Sequence, residues 1–260
     1  MVLKSECYTI GQNVTIAGIK NVSVRKDMQK MERKVTTVIF DLDGTLLNTL
    51  ADLQAAVNYA LTQYGYPVKS LEEVRMSVGN GVAKLMERVL PGGLENSDFE
   101  SCLKAFREYY SAHIQDMTMP YPKIPELLST LKGKGYRLGI VSNKFDAAVK
   151  QLKEDYFSET ISVAIGESAG VRKKPAPDCV YKAMEELCCT KEQAVYVGDS
   201  DVDVMTAHNS GLRCIGVTWG FRDEQVLKQA GADWIVESPL DILSVLEKKL
   251  QRTDSSEDKM

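Results

Sequence analysis

The chain has 260 residues, is 44% hydrophobic and carries a formal net charge of −4. That length and apolar share allow a buried core, while the mild negative charge leaves no basic footprint for nucleic acid or an anionic membrane. No apolar run reaches the roughly 18 residues of a membrane span, and the start lacks the charged, apolar, small order of a secretory signal, so a cytoplasmic protein is expected.

Residues 1–34 show no sustained helical or strand period and read as a poorly ordered N-terminal extension, with Met31 as an alternative start. "VTTVIF" follows, β-branched and apolar with little alternation, as expected of a strand covered on both faces. It runs directly into "DLDGT", which supplies Asp41, Asp43, Gly44 and Thr45. Side chains two apart on an extended segment face the same way. Two such carboxylates repel unless a cation or a shared proton relieves them. Asp-Gly is also a common turn pair, but a turn gives no reason for Asp41 at the end of a buried run.

Residues 50–119 read as helix after helix and are expected to form an all-helical insert. Leu50, Leu53, Val57, Ala60, Leu61 and Tyr64 make one apolar stripe. Ser70 with Glu73, and Ser97 with Glu100, fit the capping-box pattern. Gly79, Asn80 and Gly81 precede a helix and offer N–H groups to an anionic substrate end, against the plainer reading of a turn. Arg75 and Lys84 are candidates for a substrate carboxylate, although such residues are more often solvated helix charges. Polar hinges are expected near Asn48–Thr49 and Pro120–Pro122.

Strand and helix patterns then alternate through "YRLGIVS", "SVAIG", "AVYVG", "CIGVTW" and "WIVES". This predicts βαβ units and a doubly wound parallel α/β sheet, with ligands at the carboxyl ends of its strands. Gly211 and Gly231 stand where helices should stop. The expected core is thus residues 35–49 and 120–251, the cap 50–119, and 252–260 a polar tail. "GDSDVD" ends another buried run with Asp199, Asp201 and Asp203. In one sheet, Asp41, Asp43 and Asp199 would meet at the same edge, and oxygen ligands without soft donors suit Mg²⁺. "IVSNK" puts Ser142 and Asn143 at a third strand end, where a hydroxyl and backbone N–H groups can hold an anion. "VRKKPAPD" offers Lys173 and Lys174 to neutralise an oxyanion. The six cysteines (7, 102, 179, 188, 189 and 214) are scattered without C-x-x-C spacing, and only His113 and His208 accompany them, which argues against a zinc cage.

In order along the chain, "DLDGT", the serine of "VSN", the lysine before "PAPD" and "GDSDVD" resemble the four motifs of the haloacid dehalogenase (HAD) superfamily. The resemblance spans about residues 35–245 and is closest to the phosphoglycolate phosphatase-like branch, whose helical cap is similar around "VGNGVAKLMERVL". It implies a Rossmann-like core with Asp41 as nucleophile and Asp43 as general acid and base. Mg²⁺ would be held by Asp41, the Asp43 carbonyl and Asp199. Thr45, Ser142 and Asn143 would contact the phosphoryl oxygens. Lys174, with Lys173 as the alternative, would pair with the phosphoryl group and Asp41, and Asp203 would orient that lysine. Asp201 matches no required position, and Asp43 argues against halide chemistry. The implied function is Mg²⁺-dependent hydrolysis of a small phosphorylated metabolite through an aspartyl-phosphate, with no nucleic-acid or membrane partner. A phosphosugar mutase of the β-phosphoglucomutase kind, a pyrophosphatase and a non-catalytic phosphate-binding module are the alternatives. A nucleotide-binding oxidoreductase is weaker, since the "GNG" cluster lies between helices rather than after a strand.

Overall fold

The apolar run after residue 34 becomes strand β1 (Thr37–Phe40), buried throughout, in a computed structural model that describes residues 35–79, 81–248 and 250. The expected N-terminal extension, Asn80 and the polar tail lie outside the described residues. A short strand β2 (Leu47–Asn48) leads into helices α1 (Leu50–Gln63), α2 (Leu71–Ser77), α3 (Val82–Val89) and α4 (Phe99–Ala112), and β3 (Met119–Pro120) brings the chain back. From there helix and strand alternate: α5 (Ile124–Gly133), β4 (Arg137–Phe145), α6 (Asp146–Phe157), β5 (Val163–Glu167), α7 (Asp178–Glu186), β6 (Ala194–Gly198), α8 (Asp201–Asn209), β7 (Arg213–Val217), α9 (Glu224–Ala230), β8 (Trp234–Val236) and α10 (Asp241–Lys248).

The large sheet has the order β5-β4-β1-β6-β7-β8, and every pairing in it is parallel. This is the doubly wound α/β arrangement that the strand-helix rhythm predicts. Adjacent residues point to opposite faces, so Val38 and Phe40 join one core with Ile140, Val197, Leu127 and Ile242. Ile39 joins the other, with Tyr196, Val180, Val204 and Leu227. Helices therefore cover both faces, which explains why the strand runs read as apolar rather than alternating. After β5 the chain returns to the far side of β1 to form β6. Connections diverge at that reversal, and a crevice opens between the carboxyl ends of β1 and β6.

The helices between β2 and β3 enclose an apolar cluster of their own, including Leu53, Val57, Leu61, Met86 and Phe106. Most of the stripe along α1 packs there, although Tyr64 at its end is exposed. The Ser70–Glu73 capping box forms. The Ser97–Glu100 box does not, because α4 starts one residue later with Asp98 at its N-cap. Asn96 accepts from the Asp98 backbone N–H at 2.8 Å, and the Tyr66 hydroxyl donates to Asp98 at 2.8 Å, which fixes the turn in that register. Where the chain crosses between sheet and helices, β2 and β3 pair antiparallel. Buried Asp52, in the first turn of α1, accepts from the Met117 and Thr118 backbone N–H groups at 2.9 and 2.8 Å and from the Thr118 hydroxyl at 2.7 Å.

Candidate active site

Asp41 continues β1 by one residue, donating its backbone N–H to the Val197 carbonyl at 2.8 Å. That bond fixes its carboxylate at the sheet edge beside the end of β6. The turn beyond is left-handed at Gly44 (φ 91°), where an added Cβ would lie 2.4 Å from Asp199 Oδ2. Glycine there allows the loop to fold over the second carboxylate. Gly198 serves the same close packing on β6, since a Cβ would stand 2.3 Å from that of Asp203. Asp199 Oδ1 accepts from the Thr45 hydroxyl at 3.2 Å, and Oδ2 from the Phe221 N–H at 2.7 Å.

Lys174 reaches this edge from the loop before α7. Its Nζ lies 2.7 Å from Asp41 Oδ1 and 2.8 Å from Asp203 Oδ1, all three side chains being buried. Asp203 closes the network. Its Oδ2 accepts from the Ser200 N–H and hydroxyl at 3.1 and 2.6 Å, capping α8, while Oδ1 also accepts from the Tyr196 hydroxyl at 3.1 Å. Asn143 grips the Lys174 backbone from both sides, its Oδ1 accepting from N–H at 2.7 Å and its Nδ2 donating to the carbonyl at 3.1 Å. Lys173 instead pairs with Glu167 at 2.8 Å, away from the carboxylates.

Burial, with Asp203 nearby, raises the Asp41 carboxyl well above its ordinary range, and Lys174 only partly offsets this. Burial and Asp203 push Asp199 up to about 7. Burial opposes the charge on Lys174, but Asp203 and Asp41 outweigh it and raise the ammonium. The pattern is one of surplus negative charge: Asp41, Asp199 and Asp203 each place an oxygen within 4.8 Å of the others. Asp203 already has two protein donors on each oxygen, against one on each for Asp199 and Lys174 alone on Asp41, so Asp41 and Asp199 keep the lone pairs to share a cation. An oxygen-only donor set of this kind fits Mg²⁺.

Asp43 faces a different set of partners. Lys144 Nζ lies 3.0 Å from its Oδ1, and the Ser142 hydroxyl stands 3.4 Å from Oδ2. Lys144 also donates to the Tyr110 hydroxyl of α4 at 2.5 Å, with Nζ 4.6 Å from the ring centre. Burial disfavours a charged Lys144, but Asp43 and Tyr110 hold its ammonium raised.

These groups line a cleft of about 750 Å³, including its open mouth, between the sheet edge and the helices, a size suited to a small molecule. Asp41, Asp43, Ser142, Asn143, Lys174 and Asp199 line it from below, with Lys144 and Arg222 beside them. From the helical side come Leu53, Val78, Val82, Leu85, Tyr110, Gly79 and Gly81. Arg75 and Lys84 do not line it: Arg75 pairs with Glu72 at 2.7 Å and donates to the Phe221 carbonyl at 2.6 Å, and Lys84 pairs with Glu87 at 2.5 Å. Thr45 is buried behind Asp199 rather than on the wall.

Residues 38–217 match the haloacid dehalogenase-like hydrolase family. The chain belongs to that family. Among the relatives of this haloacid dehalogenase-like hydrolase, a phosphoglycolate phosphatase of Pseudomonas putida is 36% identical over 193 residues, covering 71% of this chain and 70% of the relative. One from Neisseria meningitidis serogroup A is 34% identical over 228 residues, 85% of this chain and 97% of the relative. A crystal structure from Lactobacillus delbrueckii subsp. bulgaricus, named by inference as a phosphoglycolate phosphatase, has 34% identity and a TM-score of 0.77, and covers 82% of this chain and 98% of that one.

Sequence reading of this hydrolase missed Lys144, Tyr110 and Arg222. Lys144 follows directly on "VSN", and its place two residues past Ser142 on the same strand was a usable signal. Tyr110 looks like any aromatic on an amphipathic helix, and only the fold brings it against Lys144.

Proposed function

We propose that this hydrolase is a Mg²⁺-dependent phosphatase that cleaves a small phosphomonoester, phosphoglycolate being the substrate, through an aspartyl-phosphate on Asp41. The observation that carries the reading is the division of the two neighbouring acids. Asp41 is held against Lys174 at 2.7 Å in the buried network, while Asp43, two residues on, sits nearer the open cleft with separate partners. A nucleophile and a proton carrier need such separate settings. Names and lengths of the relatives support the substrate.

In this reading the Asp41 carboxylate attacks phosphorus, forming one P–O bond as the bond to the leaving oxygen breaks, and Asp43 gives that oxygen its proton. Asp43 then takes a proton from water, which attacks phosphorus and releases Asp41 and inorganic phosphate. Lys174 offsets charge on the phosphoryl oxygens while keeping Asp41 aimed, and the Ser142 hydroxyl donates to one of those oxygens. Thr45 and Asn143 act one step back, Thr45 by orienting Asp199 and Asn143 by fixing the Lys174 backbone. A bound Mg²⁺, held by Asp41, Asp199 and the Asp43 carbonyl, would supply positive charge for the transferring group. The helices of residues 50–119 act as a cap on a core of 35–49 and 120–251, with Gly79 and Gly81 lining the substrate's side of the cleft.

The test pairs a phosphate-release panel (phosphoglycolate, pyrophosphate, β-glucose 1-phosphate) with borohydride trapping. Selective release from phosphoglycolate that stops in chelator, together with homoserine at position 41 after reduction, is expected. Full turnover in excess chelator, or label at another residue, overturns the mechanism; preference for an acceptor-dependent sugar phosphate overturns the substrate.

A further inference from the structure

The phosphatase reading leaves open which group recognises the rest of the substrate. The helical side of the cleft presents apolar side chains, two glycines and Tyr110, and no charged side chain among the described residues. A cation for a second anionic group must therefore come from the core. Lys174 is occupied by Asp41 and Asp203. Arg222 braces the helices, donating to the backbone carbonyls of Arg75, Phe221 and Val78 with its Nε 3.8 Å from Asp201, and makes no contact with Asp43. Lys144 remains. Its side chain is only 8% exposed, yet it lines the cleft. An ammonium has three N–H donors, and two of them go to Asp43 and Tyr110.

Chemistry fixes where the second group falls. Asp43 serves the leaving oxygen, and in an acid such as phosphoglycolate that oxygen is joined to the carboxylate through a single carbon. The carboxylate therefore comes to rest within a few ångströms of Asp43, where Lys144 Nζ already stands at 3.0 Å. We propose that Lys144, held beneath Tyr110, binds the carboxylate of the substrate. Specificity for an acidic phosphomonoester then resides at the end of β4, in place of the cap charges Arg75 and Lys84. This rests on the phosphatase reading above. Tyr110 couples the recognition to the helices, because its hydroxyl aims the ammonium and its ring covers it.

Two substrates separate this role from simple support of Asp43: phosphoglycolate, and 2-hydroxyethyl phosphate, in which a hydroxymethyl group replaces the carboxylate. Lys144→Met should lower the ratio of kcat/KM for phosphoglycolate over 2-hydroxyethyl phosphate by about 100-fold, the loss of a charge-assisted hydrogen bond, with most of it in KM. Tyr110→Phe, which keeps the ring and is mild on folding, should lower the same ratio by about 3- to 10-fold. An unchanged ratio in both variants, whether both activities fall together or neither moves, overturns the assignment and leaves the phosphatase reading intact. A wild-type enzyme that favours 2-hydroxyethyl phosphate also overturns it. Release from neither substrate overturns the phosphatase reading, and this inference with it.

Discussion

Asp41, Lys174 and Asp203 form a buried line of alternating charge, and each member has a different role. Asp41→Asn keeps the side chain's size but removes the oxygen proposed as the nucleophile, so phosphate release should fall by about 10⁴-fold or more while the circular dichroism spectrum is unchanged. A well-folded variant with near wild-type turnover would refute the nucleophile. Asp203→Asn instead strips a fully buried partner from Lys174, and should cost about 3 kcal/mol, a fall in Tm of about 6–12 °C by calorimetry. These acids were legible in the sequence because each ends or follows a local apolar run, a signal that needs no knowledge of the fold. Lys144 was not legible as a partner of Asp43, since 101 positions separate them, and only the β1–β4 pairing brings them together. Thr45 and Asn143 were found, but their protein partners, Asp199 and the Lys174 backbone, were not legible, because sequence position does not say which way a short polar side chain turns.

Between elements, the loop after β7 grips the end of α2. Arg75 donates to the Phe221 carbonyl, while Arg222 donates back to the carbonyls of Arg75 at 3.2 Å and of Val78. Phe221 also holds Asp199 through its N–H, and Trp219 Nε1 donates to the Thr45 carbonyl at 3.0 Å. The reciprocal arginines thus tie the helices to the loop that braces the acidic edge. Arg222→Ala should speed amide exchange across α2 and α3 and shift Trp219 fluorescence, while lowering stability by only about 1–2 kcal/mol. Protection in α2 equal to wild type would show that packing alone holds the helices down. This role of Arg75 was hidden in the sequence, because Glu72 beside it makes a solvated helix pair the natural reading. Its carbonyl partner lies 146 positions away.

At the scale of the whole molecule, the surplus of carboxylates makes stability depend on pH and on the cation together. The folded, metal-free protein holds a proton on Asp199 up to about 7, against an ordinary value of 3.8. A raised folded value means that this group's contribution is full below the ordinary carboxylate range and is lost as pH rises through about 7. The Mg²⁺ of the proposed mechanism would compete with that proton for the same oxygens. At about 100 times its Kd it should stabilise by about 2.7 kcal/mol at pH 8, roughly 5–10 °C in Tm, and by much less at pH 5. Equal shifts at both pH values would place the cation elsewhere. The passage between the two halves of the molecule has another consequence. Outgoing and returning chain run side by side at Asn48 and Met119, and Asp52 staples the return to the first helical turn. Sheet and helices therefore meet the chain at one paired gateway, and a different set of helices spliced between positions 48 and 119 would leave every register of the six-stranded sheet untouched. Evolution, or a chimaera built at the bench, can exchange the helical wall of the cleft without rebuilding the sheet edge that carries Asp41, Lys144 and Asp199.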